Sequence, residues 1–192
     1  GSTYKGELVG TTGDIACFSF DGIKNITSGE GGAIVTADPH VLQYAQDARL
    51  LGVRKDTDRR YKGQRSWEFE VTHQGYRYHM SNIFAAIGKE QLKKFPRFKA
   101  ERQALAKNYC ELLSNIKGIS IFNFNYNNVV PHIYPVRVHS DQRNRLRTFL
   151  IRNDIECGIH YYPNHLLDFY ADKLGFKLPM TEKVYDELLT FP

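Results

Sequence analysis

Residues 14–35, Asp14-Ile15-Ala16-Cys17-Phe18-Ser19-Phe20-Asp21-Gly22-Ile23-Lys24-Asn25-Ile26-Thr27-Ser28-Gly29-Glu30-Gly31-Gly32-Ala33-Ile34-Val35, constrain this chain more than any other stretch. Two short apolar runs, Ile15 to Phe20 and Ala33 to Val35, have the length and composition of buried strands. Between them lies a polar turn holding one lysine and four glycines, with Ser19 five residues before Lys24. Glycines at 29, 31 and 32 let backbone pass close to a bulky group or take positive φ. A lysine in such a place has two readings. One is an ordinary solvated loop residue, since Lys is rarely buried. The other is a partly desolvated amine whose neutral form forms a Schiff base with a carbonyl carbon. Ser19 would then offer its hydroxyl to a phosphate.

The wording Cys17-Phe18-Ser19-Phe20, then Lys24-Asn25-Ile26-Thr27, then Gly29-Glu30-Gly31-Gly32 resembles the pyridoxal-phosphate sugar aminotransferases of the DegT/DnrJ/EryC1/StrS family. The resemblance implies that the lysine of this motif carries the cofactor and that the serine five before it contacts the cofactor phosphate. Those roles fall on Lys24 and Ser19. The family's dehydrase branch has histidine at the lysine position, so Lys24 implies transamination.

Composition sets the outer bounds. With 192 residues, 42% hydrophobic and 24% charged, the chain is ordinary globular material with room for one or two cores. No apolar run approaches the ~18 residues of a membrane helix, and nothing at the start reads as a signal peptide. Cys17, Cys110 and Cys157 are odd in number and widely spaced. They suggest neither a disulfide framework nor a zinc site, and they fit a reducing, cytoplasmic setting. Cys17, in an apolar strand, reads as a small core residue. Positive charge is concentrated between Arg54 and Arg65, where Arg54, Lys55, Arg59, Arg60, Lys62 and Arg65 face only Asp56 and Asp58. A solvated basic loop and a site for a diphosphate-bearing substrate are both open readings. Nucleic acid is disfavoured, because no nucleic-acid motif accompanies the charge.

Along the chain, Thr3 to Thr12 reads as a connection or short hairpin. Asp38-Pro39 reads as a helix start, followed by Val41, Leu42, Ala45, Ala48 and Leu51 at helical spacing. Trp67-Glu68-Phe69-Glu70-Val71 alternates like a half-buried strand. Met80, Ile83, Phe84 and Ile87 predict a helix capped by Ser81 or Asn82. At Pro96 we expect a boundary and a new helix, with Phe98, Leu105, Tyr109 and Leu112 on one face until Lys117-Gly118. Ile119 to Phe122 and Tyr134 to Val138 read as strands, with Pro135 marking an edge or bulge. Ser140 or Asp141 should cap a helix carrying Leu146, Phe149 and Leu150. Ile155 to Tyr161 reads as a strand, and Val184 with Leu188 as a last helix.

Two further patches extend the resemblance. Residues 75–83 and 85–92 are similar to the family's segment after the lysine, where relatives place an asparagine that reaches the phosphate of the neighbouring subunit. Here Arg77 and His79 stand nearby instead. Either can donate to a phosphate, or both are interface residues without a cofactor contact. Gly158-Ile159-His160-Tyr161-Tyr162-Pro163-Asn164-His165 is similar to a turn near the family's active-site mouth, which implies substrate contacts for His160, Tyr161 and His165. His160 packing structurally is the plainer reading. The two histidines lack metal-ligand spacing and a third ligand, so no metal site is expected.

The resemblance implies an α/β chain with the aspartate-aminotransferase-like, type I fold of pyridoxal-phosphate transferases. Residues 1–95 would be the C-terminal part of the large domain and 96–192 a small α+β domain. The implied activity moves an amino group from an amino acid, glutamate in the family, to a nucleotide-linked keto-sugar during deoxyamino-sugar or surface-polysaccharide synthesis, in a homodimer. The acids before Lys24 are Glu7, Asp14 and Asp21, none in the motif that pairs with the pyridine nitrogen. The expectation is therefore a C-terminal portion of such an enzyme. The rival is a non-catalytic domain that keeps the fold and binds nucleotide or protein.

Overall fold

Lys5 and Gly6, both with positive φ (50° and 86°), turn the first strand pair back on itself. This is the backbone that a two-residue hairpin demands. Thr3–Tyr4 (β1) pairs antiparallel with Glu7–Leu8 (β2). The computed structural model describes residues 1–54, 62–63 and 69–192. These divide into two compact units, Gly1–Lys99 and Ala100–Pro192. Most of the basic stretch (Lys55, Arg59, Arg60 and Arg65, with Asp56 and Asp58) lies outside the described residues, as do Trp67 and Glu68.

In the first unit Ile15–Ser19 (β3) and Gly32–Thr36 (β4) pair antiparallel, from Ile15 opposite Thr36 to Ser19 opposite Gly32. The predicted helix follows as Pro39–Ala48 (α1). The Asp38 carboxylate caps it, accepting from the His40 N–H at 2.7 Å, and Pro39 takes the first helical position. The strand pair is not buried as expected. Ile15 and Val35 keep about half of their surface (53% and 49%), and Cys17 is exposed rather than a core residue. Strand propensity gives the two runs their pairing, but burial needs layers against both faces. Of the strand predicted over residues 67–71, the described residues 69–71 show one bridge, Val71 with Val53.

The helix over Asn82–Leu113 (α2) runs unbroken through Pro96, where a new helix was expected. Proline deprives the carbonyl four residues earlier, that of Leu92, of its donor. Leu92 and Pro96 are both exposed, so water can take that place. The Ser81 hydroxyl caps the helix as predicted, accepting from the Phe84 N–H at 3.2 Å.

The second unit has its own core. Ile119–Ile121 (β5), Tyr134–Val138 (β6) and Leu188–Phe191 (β7) form an antiparallel sheet in the order β5-β6-β7. Tyr134, Val136, Val138 and Leu189 pack with Ala106, Leu113, Tyr126 and Cys157. Leu189 and Val136 are fully buried, each contributing roughly 2 kcal/mol of transfer free energy. The inward face of α2 is therefore Ala106, Tyr109, Cys110 and Leu113. Leu105 and Leu112, expected on that face, are exposed. Two apolar stripes overlap at Tyr109, and the one bringing small Ala106 to the sheet prevails.

Pro135 lies in the central strand, yet the edge rule survives locally. Thr190, opposite it, spends its N–H and C=O on Gly158 (2.8 and 3.0 Å), away from β6. The proline nitrogen thus points toward the β5 side, where pairing has already ended at Ile121–Val136. Gly158 is the only paired residue of the strand expected over Ile155–Tyr161. Arg143–Arg152 (α3) starts one step late, with Ser140 and Asp141 at positive φ and Gln142 as a cap without a side-chain bond. Asp168–Leu174 (α4) was not anticipated, and Pro179–Glu187 (α5) ends where β7 begins.

Candidate active site

Lys24 stands in a loop whose backbone is tied at many points. The loop closes with the Phe20 N–H donating to the Gly31 carbonyl and the Ser28 N–H to the Phe20 carbonyl, both at 2.9 Å. Thr27 works in two directions: its hydroxyl donates to the Phe20 carbonyl at 3.1 Å and accepts from the Gly29 N–H at 2.8 Å. Ser28 is fully buried and donates to the Glu30 carbonyl at 2.6 Å. Asp21 accepts from the Ile23 N–H at 3.1 Å through its carboxylate and from the Lys24 N–H at 3.0 Å through its carbonyl. The lysine's main chain is therefore fixed by a turn. Its side chain is half-buried and joins no ion pair among the described residues. Beside it, the Asn25 side-chain oxygen is buried and accepts no hydrogen bond. That is a costly state, which a docked donor would relieve.

Ser19 ends β3, with its Oγ accepting a long 3.4 Å bond from the Asp21 N–H. Its own proton remains for another acceptor. The glycines do make close approach possible, but toward protein. At Gly31, with φ of 129°, an added Cβ would fall 2.4 Å from the Met80 methyl. Glu30 is exposed and serves the turn through its carbonyl.

Arg77 and His79 arrive on a segment laced to the end of α1. The Tyr76 N–H donates to Ala48, the Leu51 N–H to Tyr76, and the Tyr78 N–H to Arg49. Gly75 permits this, since any Cβ there would overlap the Gly52 backbone at 1.9 Å. Arg77 bridges Leu50, and His79 lines a cavity of about 990 Å³ with Glu30, Gly31, Phe18 and Tyr44. Neither is bonded to Ser19 or Lys24 in the structure, and those two do not line the cavity. The cavity spreads over the open face of β3 and β4.

His160, Tyr161 and His165 belong to the second unit. The His160 ring meets Tyr161 edge-on at 4.8 Å, and its Nδ1 is buried without a partner. Tyr161 is exposed. His165 is turned inward, almost wholly buried, with Nε2 3.1 Å from the Glu182 carboxylate. The signal for its carboxylate partner was absent from the sequence, because Glu182 lies 17 residues on and in another helix. The His165 contact, with the Leu178 N–H bond at 3.2 Å, holds the Glu182 carboxyl below its ordinary range. A carboxylate whose folded value is depressed contributes stability above its unfolded value, and this is lost as pH falls through the folded one. Urea midpoints should therefore separate the parent from Glu182→Gln at neutral pH, with the gap shrinking on acidification through the carboxylate range. A gap independent of pH would count against the clamp.

The model of the DegT/DnrJ/EryC1/StrS aminotransferase family matches residues 1–192. Uncharacterized protein MJ1066 of Methanocaldococcus jannaschii is 34% identical over 100% of this chain and 52% of its own length. The spore coat polysaccharide biosynthesis protein SpsC of Bacillus subtilis is 29% identical over 100% of the chain and 51% of its own. Among solved structures, Spr1654 from Streptococcus pneumoniae in its PLP-form superposes with a TM-score of 0.85 at 28% identity, covering 100% of this chain and 50% of that one. The chain thus spans about half the length of the relatives it matches.

Proposed function

The chain belongs to the DegT/DnrJ/EryC1/StrS aminotransferase family, and from that premise we propose that it carries the lysine half of a sugar aminotransferase site. Its fold is that of a type I pyridoxal-phosphate transferase over about half of such an enzyme's length. In this reading residues 1–95 close the large cofactor-binding domain and 96–192 form the small one. The complete enzyme takes an amino group from an amino acid, glutamate by family resemblance, and gives it to a nucleotide-linked keto-sugar. The name of SpsC supports a place in polysaccharide synthesis.

One observation carries the reading: Lys24 is held by its backbone in a bonded loop while its amine has no carboxylate partner among the described residues. Pyridoxal phosphate fits what surrounds it at two points, the amine of Lys24 and the hydroxyl of Ser19, and the unpaired Asn25 oxygen awaits a donor. When bound, the cofactor supplies an electron sink that lets a proton leave the carbon bearing nitrogen. Lys24 is the base that takes that proton and the acid that returns it one position along. Ser19 donates to a phosphate oxygen, and by family resemblance Arg77 or His79 donates to the phosphate held by the neighbouring subunit. By family resemblance His160, Tyr161 and His165 contact the sugar, and the Glu182 carboxylate beside His165 Nε2 steadies that turn. Incubating the complete enzyme with glutamate and nucleotide-linked 3- or 4-keto-sugars tests the function. Formation of 2-oxoglutarate in proportion to amino-sugar supports it, and none with either isomer overturns it.

We also propose a homodimer whose interface includes residues between 69 and 92, among them Ile83 and Ile87, one turn apart on the same face of α2. Both are exposed, Ile83 at 73%. Exposed apolar side chains grouped in this way mark an interaction surface. Sedimentation should give a dimer at micromolar concentration, and a stable monomer would refute the interface.

A further inference from the structure

We propose that Ser120, His139 and Glu187 form a serine-nucleophile centre in the second unit, acting on small acyl esters. The sheet builds it. Along β6, Tyr134, Val136 and Val138 face the core, so Arg137 and, just beyond the strand, His139 face the other side. Ser120 pairs directly with Arg137 across β5 and β6 and shares that face. The His139 N–H donates to the Gly118 carbonyl at 2.9 Å, which fixes the histidine's backbone beside Ser120. Glu187 comes from the last residue of α5.

The distances form an ordered relay. Ser120 Oγ lies 2.6 Å from His139 Nε2, and His139 Nδ1 lies 3.4 Å from Glu187 Oε2. Ser120 is exposed, whereas Glu187 is mostly covered. Arg137 binds the same Glu187 oxygen through Nε at 2.7 Å and Nη2 at 2.5 Å. Burial alone would raise the Glu187 carboxyl, but Arg137, His139 and Lys183 together hold it below its ordinary range. It is therefore an anion at neutral pH, able to orient an imidazole with its proton on Nδ1 and its lone pair on the serine. This is the nucleophile, base and orienter sequence of acyl-transfer sites. The guanidinium has five N–H donors and gives two to Glu187. The others are available to an oxyanion forming next to Ser120.

The step balances without another reagent. Ser120 Oγ attacks the carbonyl carbon and its proton passes to His139 Nε2. Collapse breaks the ester C–O bond, and the alcohol leaves with the Nε2 proton, so the acyl group rests on Ser120. Water attacks along the same path, releasing the acid and restoring the hydroxyl. Arg137 and Lys183 make the surroundings cationic, which favours esters whose acyl part is neutral or anionic.

The test treats the 192-residue chain with a fluorophosphonate probe and with p-nitrophenyl acetate, followed by peptide mapping. One equivalent of label on Ser120 is expected, absent in Ser120→Ala and slowed at least ~100-fold in His139→Gln. Labelling should also fall on acidification. Circular dichroism checks each variant. Should His139→Gln not fold, the parent's pH profile and the exposed-site variant Ser120→Ala decide. An unlabelled Ser120 in the folded chain, equal rates in His139→Gln, or a flat pH profile overturns the proposal.

Discussion

Replacing Lys24 by alanine in the complete enzyme is expected to remove transamination, with turnover falling at least ~10⁴-fold, the upper range for loss of a positioned acid–base group. The fold should survive. Lys24 lies in a turn whose hydrogen bonds are made by the main chain and by Asp21, Thr27 and Ser28, none by the lysine side chain. Its removal should change stability by no more than about 0.5 kcal/mol, as for other sites outside a core. Lys24→Arg separates charge from chemistry. Arginine keeps the cation yet neither bonds covalently to the cofactor nor carries protons at neutral pH, so it should be as inactive as alanine. Borohydride treatment of the cofactor-loaded enzyme should fix the cofactor to one peptide, the one containing Lys24. Label on Lys55 or Lys62 would reject the assignment, as would measurable turnover by Lys24→Ala.

What could be read from the sequence was mainly local. The loop from Ser19 to Gly32 was legible because turn chemistry sits in its own residues. Asp38-Pro39 and Ser81 were legible because a cap needs only its own side chain and the next few N–H groups. The errors came where distant segments decide. Leu188 joined Val184 in a helical pattern on paper, yet it opens β7, which pairs with β6 over fifty residues back. Pro135 looked like an edge residue and sits in the central strand, at a point where β5 has ended. The inward face of α2 was misread because Leu105 and Ala106 both satisfy the helical period, and only the sheet chooses between them. The same holds for the site. Lys24 and Ser19 share a motif, but the Glu182 partner of His165 and the relay through Ser120, His139 and Glu187 join residues 17 to 67 apart. No spacing rule encodes such pairs.

The 192 residues taken by themselves are expected to hold pyridoxal phosphate weakly and to catalyse no transamination. The second unit has a closed core, whereas the strand pair under the Lys24 loop does not. Ile15, Phe18, Ile34 and Val35 are all exposed on a two-stranded sheet, a size of sheet that is marginal in water. The acid closest in sequence to Lys24 is Asp21, and its carboxylate already accepts from the Ile23 N–H. The chain spans about half the length of MJ1066 and SpsC, and the family resemblance implies that the acid for the pyridine nitrogen and the rest of the phosphate cradle lie in the other half. A hydrogen bond to a charged group is worth roughly 1.5–3 kcal/mol. Lacking two of them weakens binding by at least ~10²-fold. Adding a second polypeptide that corresponds to the other half of the relatives should therefore tighten binding by that factor or more, and bring back activity that depends on Lys24. Cofactor absorbance titrations with and without the second polypeptide measure both effects. Tight stoichiometric binding with turnover by the 192 residues alone would show that the site needs nothing more.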